Sequence, residues 1–474
     1  MNVFKEVLTC SDKDKPFLIV GDGNFSFSRA VVENFGIKNI ISSGFQSFDD
    51  LSDMAKENVN ILKDEGITVL HGIDATALKK YEFPILSGIV FNFPHVGGKM
   101  KIQKNRELIQ LFFTSAGSIQ SSKDFKVCVS LCQGQGGIPE DTVYRTWENS
   151  WKIVEMAAYG GFILKEVKKF PKIDSYMETG YRSLEKRFHT EGSSVYIFVG
   201  GERASFPIYG NRDCFVRSIL YNNLWTLNDS VVWQFMNHVF HIAQPKDLNF
   251  EFEELSYNPY EIYMCNSFSL HLQLRLDTNL KEPIVKHFVK LKRWNFDRIK
   301  AVFDNFGYQI TEVFSDCDTH CSKHTLSTDN NIVGSACDQC CQIVVFIDAA
   351  ILSLGKETDW RLLYHSRLVF KQNMMRIVTE SLYPVAYTFD ISFWDSHIPL
   401  SQKLFKSEAL LFFANILKEV HLVDSYICIK TNKTSKCYRN VYQSLWYVLS
   451  KADIQNLHSN FGKLLEEKYF VKVR

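Results

Sequence analysis

The sequence predicts an α/β protein: a Rossmann-like, doubly wound, mainly parallel sheet first, an α+β middle region next, and a ferredoxin-like α+β domain last. Three observations lead there. Short unbroken apolar runs alternate with helical patterns through residues 16–200, a glycine-bearing turn follows the first run, and a β-α-β, β-α-β order fills residues 383–474. A chain of 474 residues is too long for one hydrophobic core, and about 150 residues per domain gives about three. The expected boundaries are 14–200, 201–382 and 383–474.

In chain order, Pro16–Val20 is the first apolar run, and Phe25–Phe35 is helical after it. Further strands are expected at Asn39–Gly44, Ile67–Gly72, Gly88–Phe93, Phe125–Leu131, Gly161–Lys168 and Ser194–Val199. Helical patterns lie between most of them, at Leu51–Asp64, Lys104–Ile119 and Thr142–Tyr159. Continuous apolar strands spaced by helices argue for a parallel sheet covered on both faces. Such sheets bind ligands at the carboxyl ends of their strands, near the switch point.

The first strand-to-helix turn, Gly21-Asp22-Gly23-Asn24-Phe25-Ser26, carries the cofactor expectation. Its glycines permit a tight turn and close approach of the backbone to a ligand, and the following helix N-terminus offers backbone donors. Ser26 stands where dinucleotide enzymes keep a third glycine, which points away from NAD. Two later strand ends add to it. Asp74, in Gly72-Ile73-Asp74-Ala75-Thr76, could accept from an adenine amino group or cap a helix. In Asn92-Phe93-Pro94-His95, Pro94 fixes the backbone, Asn92 could hold a planar substrate edge, and His95 could accept a proton; the plainer reading is a turn with a solvated histidine.

Leu18–Ser28, Gly72–Thr76 and Val90–Gly98 together resemble the signatures of the Rossmann-like rRNA (uridine-N3) methyltransferase family, and Lys104–Leu108 and Leu131–Gln135 fit as well. The resemblance covers about residues 14–200. It implies S-adenosylmethionine held by Gly21, Asp22, Gly23, Asn24, Phe25, Ser26, Gln46 and Asp74, and methyl transfer to N3 of a uracil framed by Asn92, Pro94 and His95. The family's acidic residue after the second strand is replaced by Gln46, whose amide bonds a ribose hydroxyl without charge assistance. Gly180–Thr190 keeps part of the family's late basic stretch.

At the other end, Val385–Ser392, Val420–Ile429, Lys436–Val448 and Phe470–Arg474 read as strands, with helices at Pro399–Lys418 and Ala452–Lys468 and Ser450 as a cap. That order is the split ferredoxin-like pattern. The stretch Lys430–Arg439, read as a loop, holds Lys430, Lys433, Lys436 and Arg439 without an acid, a candidate phosphate-contact cluster or a solvated turn. Tyr383-Pro384, Phe389–Trp394, Val423-Asp424 and Lys430–Arg439 resemble the anticodon-binding domain that ends phenylalanyl-tRNA synthetases, implying tRNA contact through those basic residues. Thr358–Leu363 and Arg367–Phe370 resemble the linker entering that domain, while Phe470–Arg474 replaces its glycine-rich close.

The middle offers less. Ser267–Leu276 and Cys341–Ile347 read as strands and Trp294–Asn305 as a helix. Lys281–Arg293 is either a basic RNA-facing stripe or a solvated face. Cys317, Cys321, Cys337 and Cys340 approximate a zinc-ribbon spacing, with His320, His324 and Cys341 as further donors, yet the interval between them reads as a polar loop, so no metal is assigned. No Gly-x-Gly-x-x-Arg occurs, which argues against aminoacylation.

Composition narrows the class. Lys plus Arg number 54 against 53 Asp plus Glu, so any nucleic-acid surface is local rather than global. No apolar run reaches membrane-span length and the first residues do not read as a secretory leader. Twelve scattered cysteines suit reduced thiols, which places the protein in the cytoplasm or in the nucleus and nucleolus. The two resemblances imply an S-adenosylmethionine-dependent RNA base methyltransferase with a tRNA- or rRNA-reading appendage, or else a catalytically inactive tRNA- or rRNA-binding adaptor related to phenylalanyl-tRNA synthetase; a synthetase paralogue that still charges tRNA ranks last.

Overall fold

A computed structural model describes residues 2–9, 15–97, 101–120, 124–176, 190–203, 374–397, 399–413 and 416–474, with short segments and single residues between 204 and 373. Two compact units emerge, the first holding residues 1–204, 381–385 and 447–451, and the second the remainder.

The first unit is built on seven strands: β1 (Phe17–Val20), β2 (Ile40–Ser43), β3 (Thr68–Leu70), β4 (Gly88–Asn92), β5 (Lys126–Leu131), β6 (Phe162–Lys169) and β7 (Ser194–Gly200). Their order is β3-β2-β1-β4-β5-β7-β6. Pairing is parallel from β3 through β5, and β7 enters antiparallel between β5 and β6. This is the expected doubly wound sheet, altered from the 3-2-1-4-5-6 order of dinucleotide-binding sheets by that inserted strand. The strand order reverses between β1 and β4, and the crevice at their carboxyl ends is where such sheets bind ligands.

Side-chain alternation explains why the strands are apolar without a break. Leu18 and Val20 of β1, with Ile89 and Phe91 of β4, join a cluster with Ile109, Phe112 and Phe113 of α4 (Ile102–Ile119). Phe17 and Ile19, with Val90, pack on the other face with α2 (Ser26–Phe35) and α3 (Asp53–Asp64). Each strand feeds two cores, so no polar alternation survives. One element went unread in the sequence. Val3–Thr9 forms α1, whose Val3, Phe4, Val7 and Leu8 enter the second cluster, with Phe4 edge-on to Phe27.

The helix expected at Thr142–Tyr159 is corrected to a short α5 (Ile153–Tyr159) behind a single 3-10 turn at Trp147–Asn149. The cause is a competing donor. The buried Arg106 guanidinium donates to Ser150 O at 2.6 and 2.9 Å and to Glu148 O at 2.8 Å, taking carbonyls a longer helix would bond itself. Trp151 N and Ile153 N are likewise spent on Gln135 O and Gly136 O. Arg106→Met should leave those carbonyls unpaired and cost about 2–3 kcal/mol, measured as a lower denaturation midpoint; a shift below about 0.5 kcal/mol would remove this account of the turn.

In the second unit, β8 (Phe288–Lys292), β9 (Gln309–Val313), β10 (Lys323–Thr328), β11 (Asn331–Cys337) and β12 (Gln342–Phe346) form an antiparallel sheet ordered β8-β12-β11-β10-β9. The strand expected at Cys341–Ile347 is therefore present. Cys337 ends β11 and His324 lies in β10, whereas Cys317, His320, Cys321, Cys340 and Cys341 lie outside the described residues, as do Ser267–Leu276, Trp294–Asn305, and Lys281–His287 and Arg293 of the basic stripe. Among the described residues no cluster of metal-ligating side chains occurs, and no helix is long and apolar enough to cross a membrane. A separate hairpin pairs β13 (Ser366–Lys371) with β14 (Met374–Thr379).

The last sheet contains β15 (Ala386–Trp394), β16 (Leu417–Cys428), β17 (Lys433–Gln443) and β18 (Lys472–Val473), ordered β16-β17-β15-β18 and antiparallel throughout. With α6 (Gln402–Phe413) and α7 (Lys451–Tyr469) as crossovers, this is the split β-α-β pattern. Aromatics fill it: Phe405 stacks on Tyr438 at 3.8 Å, and Phe461 meets Phe413 at 5.0 Å. Two boundaries move. The expected helix Pro399–Lys418 becomes the shorter α6, because Leu417 already pairs with Tyr442 in the sheet. The expected ten-residue loop Lys430–Arg439 is a tight turn at residues 429–432, followed at once by β17.

Candidate active site

The hollow at the switch point is bounded by the end of β1 and the turn after it (Ile19 to Asn24), by Phe27 of α2, by Asn92 at the end of β4 and Phe93 after it, and by Tyr176. One part of its wall is main chain and short polar side chains; the aromatic rings make another.

The glycine turn is shaped by its own side chains. Gly21 adopts φ +66°, where a Cβ would stand 2.6 Å from the Phe91 ring, so both backbone and space require glycine there. The buried Asp22 carboxylate accepts from Ser28 N at 2.8 Å and from Ser28 Oγ at 2.7 Å, and Ser28 Oγ meets Ser42 Oγ at 2.6 Å. Asn24 Oδ1 accepts from Ser26 N and Oγ, and Asn24 O accepts from Asn58 Nδ2. Asp22 and Asn24 line the hollow, yet these bonds draw their side chains into the turn itself. Burial pushes the Asp22 carboxyl up, against the opposing pull of its bonds from Ser28.

Phe25 and Ser26, expected among the cofactor contacts, do not line the hollow. Phe25 holds φ +59°, is fully buried, and lies against Gly44, where a Cβ would come within 2.8 Å of its ring. Its ring sits edge-on to His71 at 5.5 Å. Gln46 and Asp74 also fall outside the lining. Gln46 O accepts from Gly72 N, stitching the loops after β2 and β3. Asp74 Oδ1 accepts from Thr76 N at 2.9 Å and Thr76 Oγ1 at 2.7 Å, which makes it the cap of the 3-10 helix Ala75–Lys80. The capping alternative holds for that oxygen.

At the end of β4, Asn92 Oδ1 accepts from Ser130 Oγ at 2.6 Å, while Asn92 Nδ2 is shielded from solvent and has no partner. Phe93 follows in the left-handed region at φ +50°, with its N–H held by Ser130 O. A non-glycine residue there is strained, and such strain gathers at ligand sites. Pro94 is buried beside it. His95 departs from the expectation of a proton acceptor. Its Nδ1 accepts from Gly97 N at 2.7 Å, its ring lies 5.8 Å from Trp151, and it is absent from the hollow's wall. Burial and nearby Lys101 hold its pKa down, so the neutral ring carries its proton on Nε2. Asn105 Oδ1 accepts from Val96 N, which anchors the corner to α4.

Sequence reasoning missed Phe27, Tyr176 and Ser130. Tyr176 packs on Phe27 at 5.4 Å and on Phe170 at 6.0 Å, a contact between distant segments with no local signature. Ser130 had one: a serine inside the run Val127–Leu131 is buried and must bond.

In the last sheet, the four basic candidates part company. Lys430 and Lys433 are exposed at the turn. Lys436 is held between Asp395 Oδ2 and Leu400 O, each 2.6 Å away. Arg439 forms a fork with Asp390 at 2.8 Å on both arms, and that pair lowers the Asp390 carboxyl pKa.

The strand order and the crevice at the switch point define a doubly wound, Rossmann-like unit. Residues 18–183 match the family model described as BMT5-like, rRNA (uridine-N3-)-methyltransferase. The chain is also similar to the ferredoxin-fold anticodon-binding domain-containing protein 1 homolog of Mus musculus, 42% identical over 190 residues, covering 38% of this chain and 30% of that protein. It resembles the Homo sapiens protein of that name at 39% identity over 219 residues, 44% of this chain and 34% of that one. A 25S rRNA (uridine(2634)-N(3))-methyltransferase of Saccharomyces cerevisiae is 32% identical over 139 residues, 22% of this chain and 41% of the yeast protein. The chain thus spans about a third of the length of the two mammalian relatives.

Proposed function

We propose that the first unit is an S-adenosylmethionine-dependent RNA base methyltransferase of the uridine-N3 type, and that residues 383–474 bind tRNA or rRNA through the 429–432 turn. The observation that carries the reading is the switch-point hollow lined by Asn92, whose buried Nδ2 has no partner. An orphaned buried donor is costly in a folded protein and needs an acceptor, which a ligand carbonyl or a water can supply. When bound, S-adenosylmethionine supplies a methyl carbon activated by its sulfonium. The glycine turn offers main chain for the donor's polar groups, and Phe27, Phe93 and Tyr176 supply apolar walls for planar rings. A base must leave its stack to reach such a site, and Asn92 would position its edge.

Calorimetric titration of the full chain with S-adenosylmethionine should show saturable binding, and tritiated methyl should pass to uridine-containing RNA. Asn92→Ala should slow that transfer by about 100-fold, the usual cost of removing one aimed donor. Absence of cofactor binding would end the methyltransferase reading. Binding without transfer would favour the second reading, an inactive RNA-binding adaptor. Two observations support the adaptor: Gln46 in place of an acid, and Asp74 Oδ1 spent on its helix cap.

A further inference from the structure

Ser130 is fully buried on β5 and lies directly opposite Asn92 of β4 in the parallel register. Its hydroxyl donates to Asn92 Oδ1, and its carbonyl receives Phe93 N–H. One residue therefore grips both the side chain and the backbone of the corner.

The direction of the hydroxyl bond decides which atom the amide presents. Among the described bonds, Ser130 Oγ has Asn92 as its sole side-chain partner. If the amide turned over, Nδ2 would donate to Oγ, and the hydroxyl proton would be left with no acceptor. A buried hydroxyl resists that loss. The amide is thus held with Oδ1 toward Ser130 and with its NH2 group buried and unpaired, on a residue that lines the hollow.

We propose that Ser130 is a positioning residue that fixes the Asn92 amide as a hydrogen-bond donor, so that the site accepts a base edge carrying a carbonyl oxygen and rejects one carrying an amino group there. The inference rests on the methyltransferase reading of the same hollow. A carbonyl completes the orphaned donor; an amino group sets donor against donor. Sites that hydrogen-bond a substrate group discriminate strongly against the analogue lacking it. The same N–H would stabilise charge that gathers on the carbonyl oxygen as the adjacent ring nitrogen loses its proton to solvent.

The test uses the full chain saturated with S-adenosylhomocysteine and two short RNAs that differ only in one central uridine or cytidine. Competition binding should favour the uridine RNA by about tenfold or more. Asn92→Asp places an acceptor on both sides of the group, and should collapse that ratio to about one or reverse it. Ser130→Ala, which frees the amide to turn, should lower the ratio several-fold with cofactor affinity unchanged, and Ser130→Thr should restore it. A purely structural serine would shift both RNAs equally and leave the ratio alone. If the wild type binds S-adenosylhomocysteine but Asn92→Asp keeps the wild-type ratio, the inference is overturned by itself. If the wild type fails to bind that cofactor product, the methyltransferase reading falls and takes this inference with it.

Discussion

Replacing Lys436 with alanine should destabilise the C-terminal sheet by about 3 kcal/mol, while replacing Lys430 and Lys433 should leave its stability within about 0.5 kcal/mol. The four basic residues look equivalent in sequence, but their surroundings differ. Asp395 is 6% exposed, its Oδ1 accepts from Leu400 N, and its Oδ2 faces the Lys436 ammonium. Removing the ammonium leaves a carboxylate in the interior without a counter-charge, the costly way to break such a pair. The double replacement Lys436→Met with Asp395→Asn should recover most of the loss, because no charge remains to be compensated. Lys430 and Lys433 have no such burden; on the proposed RNA-binding role of this domain, their loss should instead weaken RNA binding and flatten its dependence on salt. Hydrogen exchange on β15 and β17 reads the stability arm, and filter binding across a salt series reads the other. If Lys436→Ala left exchange protection unchanged, the pair would be a surface ornament and all four residues would return to the RNA-facing set. Arg439 should matter little to stability, since its fork with Asp390 is about half exposed.

The second large effect is expected at Asp22. Asp22→Ala should cost about 2–3 kcal/mol, because it strands the Ser28 N–H in a buried turn and leaves the Ser28 hydroxyl with Ser42 Oγ alone. Asp22→Asn should behave differently, since an amide oxygen can take the place of the accepting oxygen without ionising. The sign follows from the environment. Burial raises the folded pKa of this carboxyl above its ordinary value of 3.8, so the folded chain holds the proton more tightly than the unfolded chain. Its contribution to stability is fully present below about pH 4 and is lost as pH rises through the folded value. The advantage of Asp22→Asn over the wild type should therefore grow with pH through that window and then level off. Denaturation midpoints at a series of pH values measure it. Parallel profiles for the two proteins would mean that the carboxyl ionises alike in both states.

The architecture was legible because it depends on local period and composition. Runs such as Phe17–Val20 and Val127–Leu131 are apolar on both faces, and a parallel sheet between two helical layers demands that. The glycine turn announced itself through Gly21, whose positive φ and contact with Phe91 exclude a side chain. Misreadings fell where distant groups overrule local preference. Thr142–Ser150 carries a helical pattern, yet Arg106 takes its carbonyls. Lys433–Ser435 belongs to a loop-like charge run, yet it pairs with β16.

The candidate site divides in the same way. From the amino-acid order alone come the turn after β1, the corner at Asn92, and the sheet that brings the two together, because burial pattern and turn chemistry are properties of short segments. Only the tertiary structure decided which polar groups remain to meet a ligand. Ser28 occupies Asp22, Thr76 occupies Asp74, Gly97 occupies His95, and Ser130 takes one side of Asn92 and leaves the other unpaired. A hydrogen-bond donor or acceptor is spent or available according to its neighbours in space, and those neighbours lie up to 38 residues away in the chain.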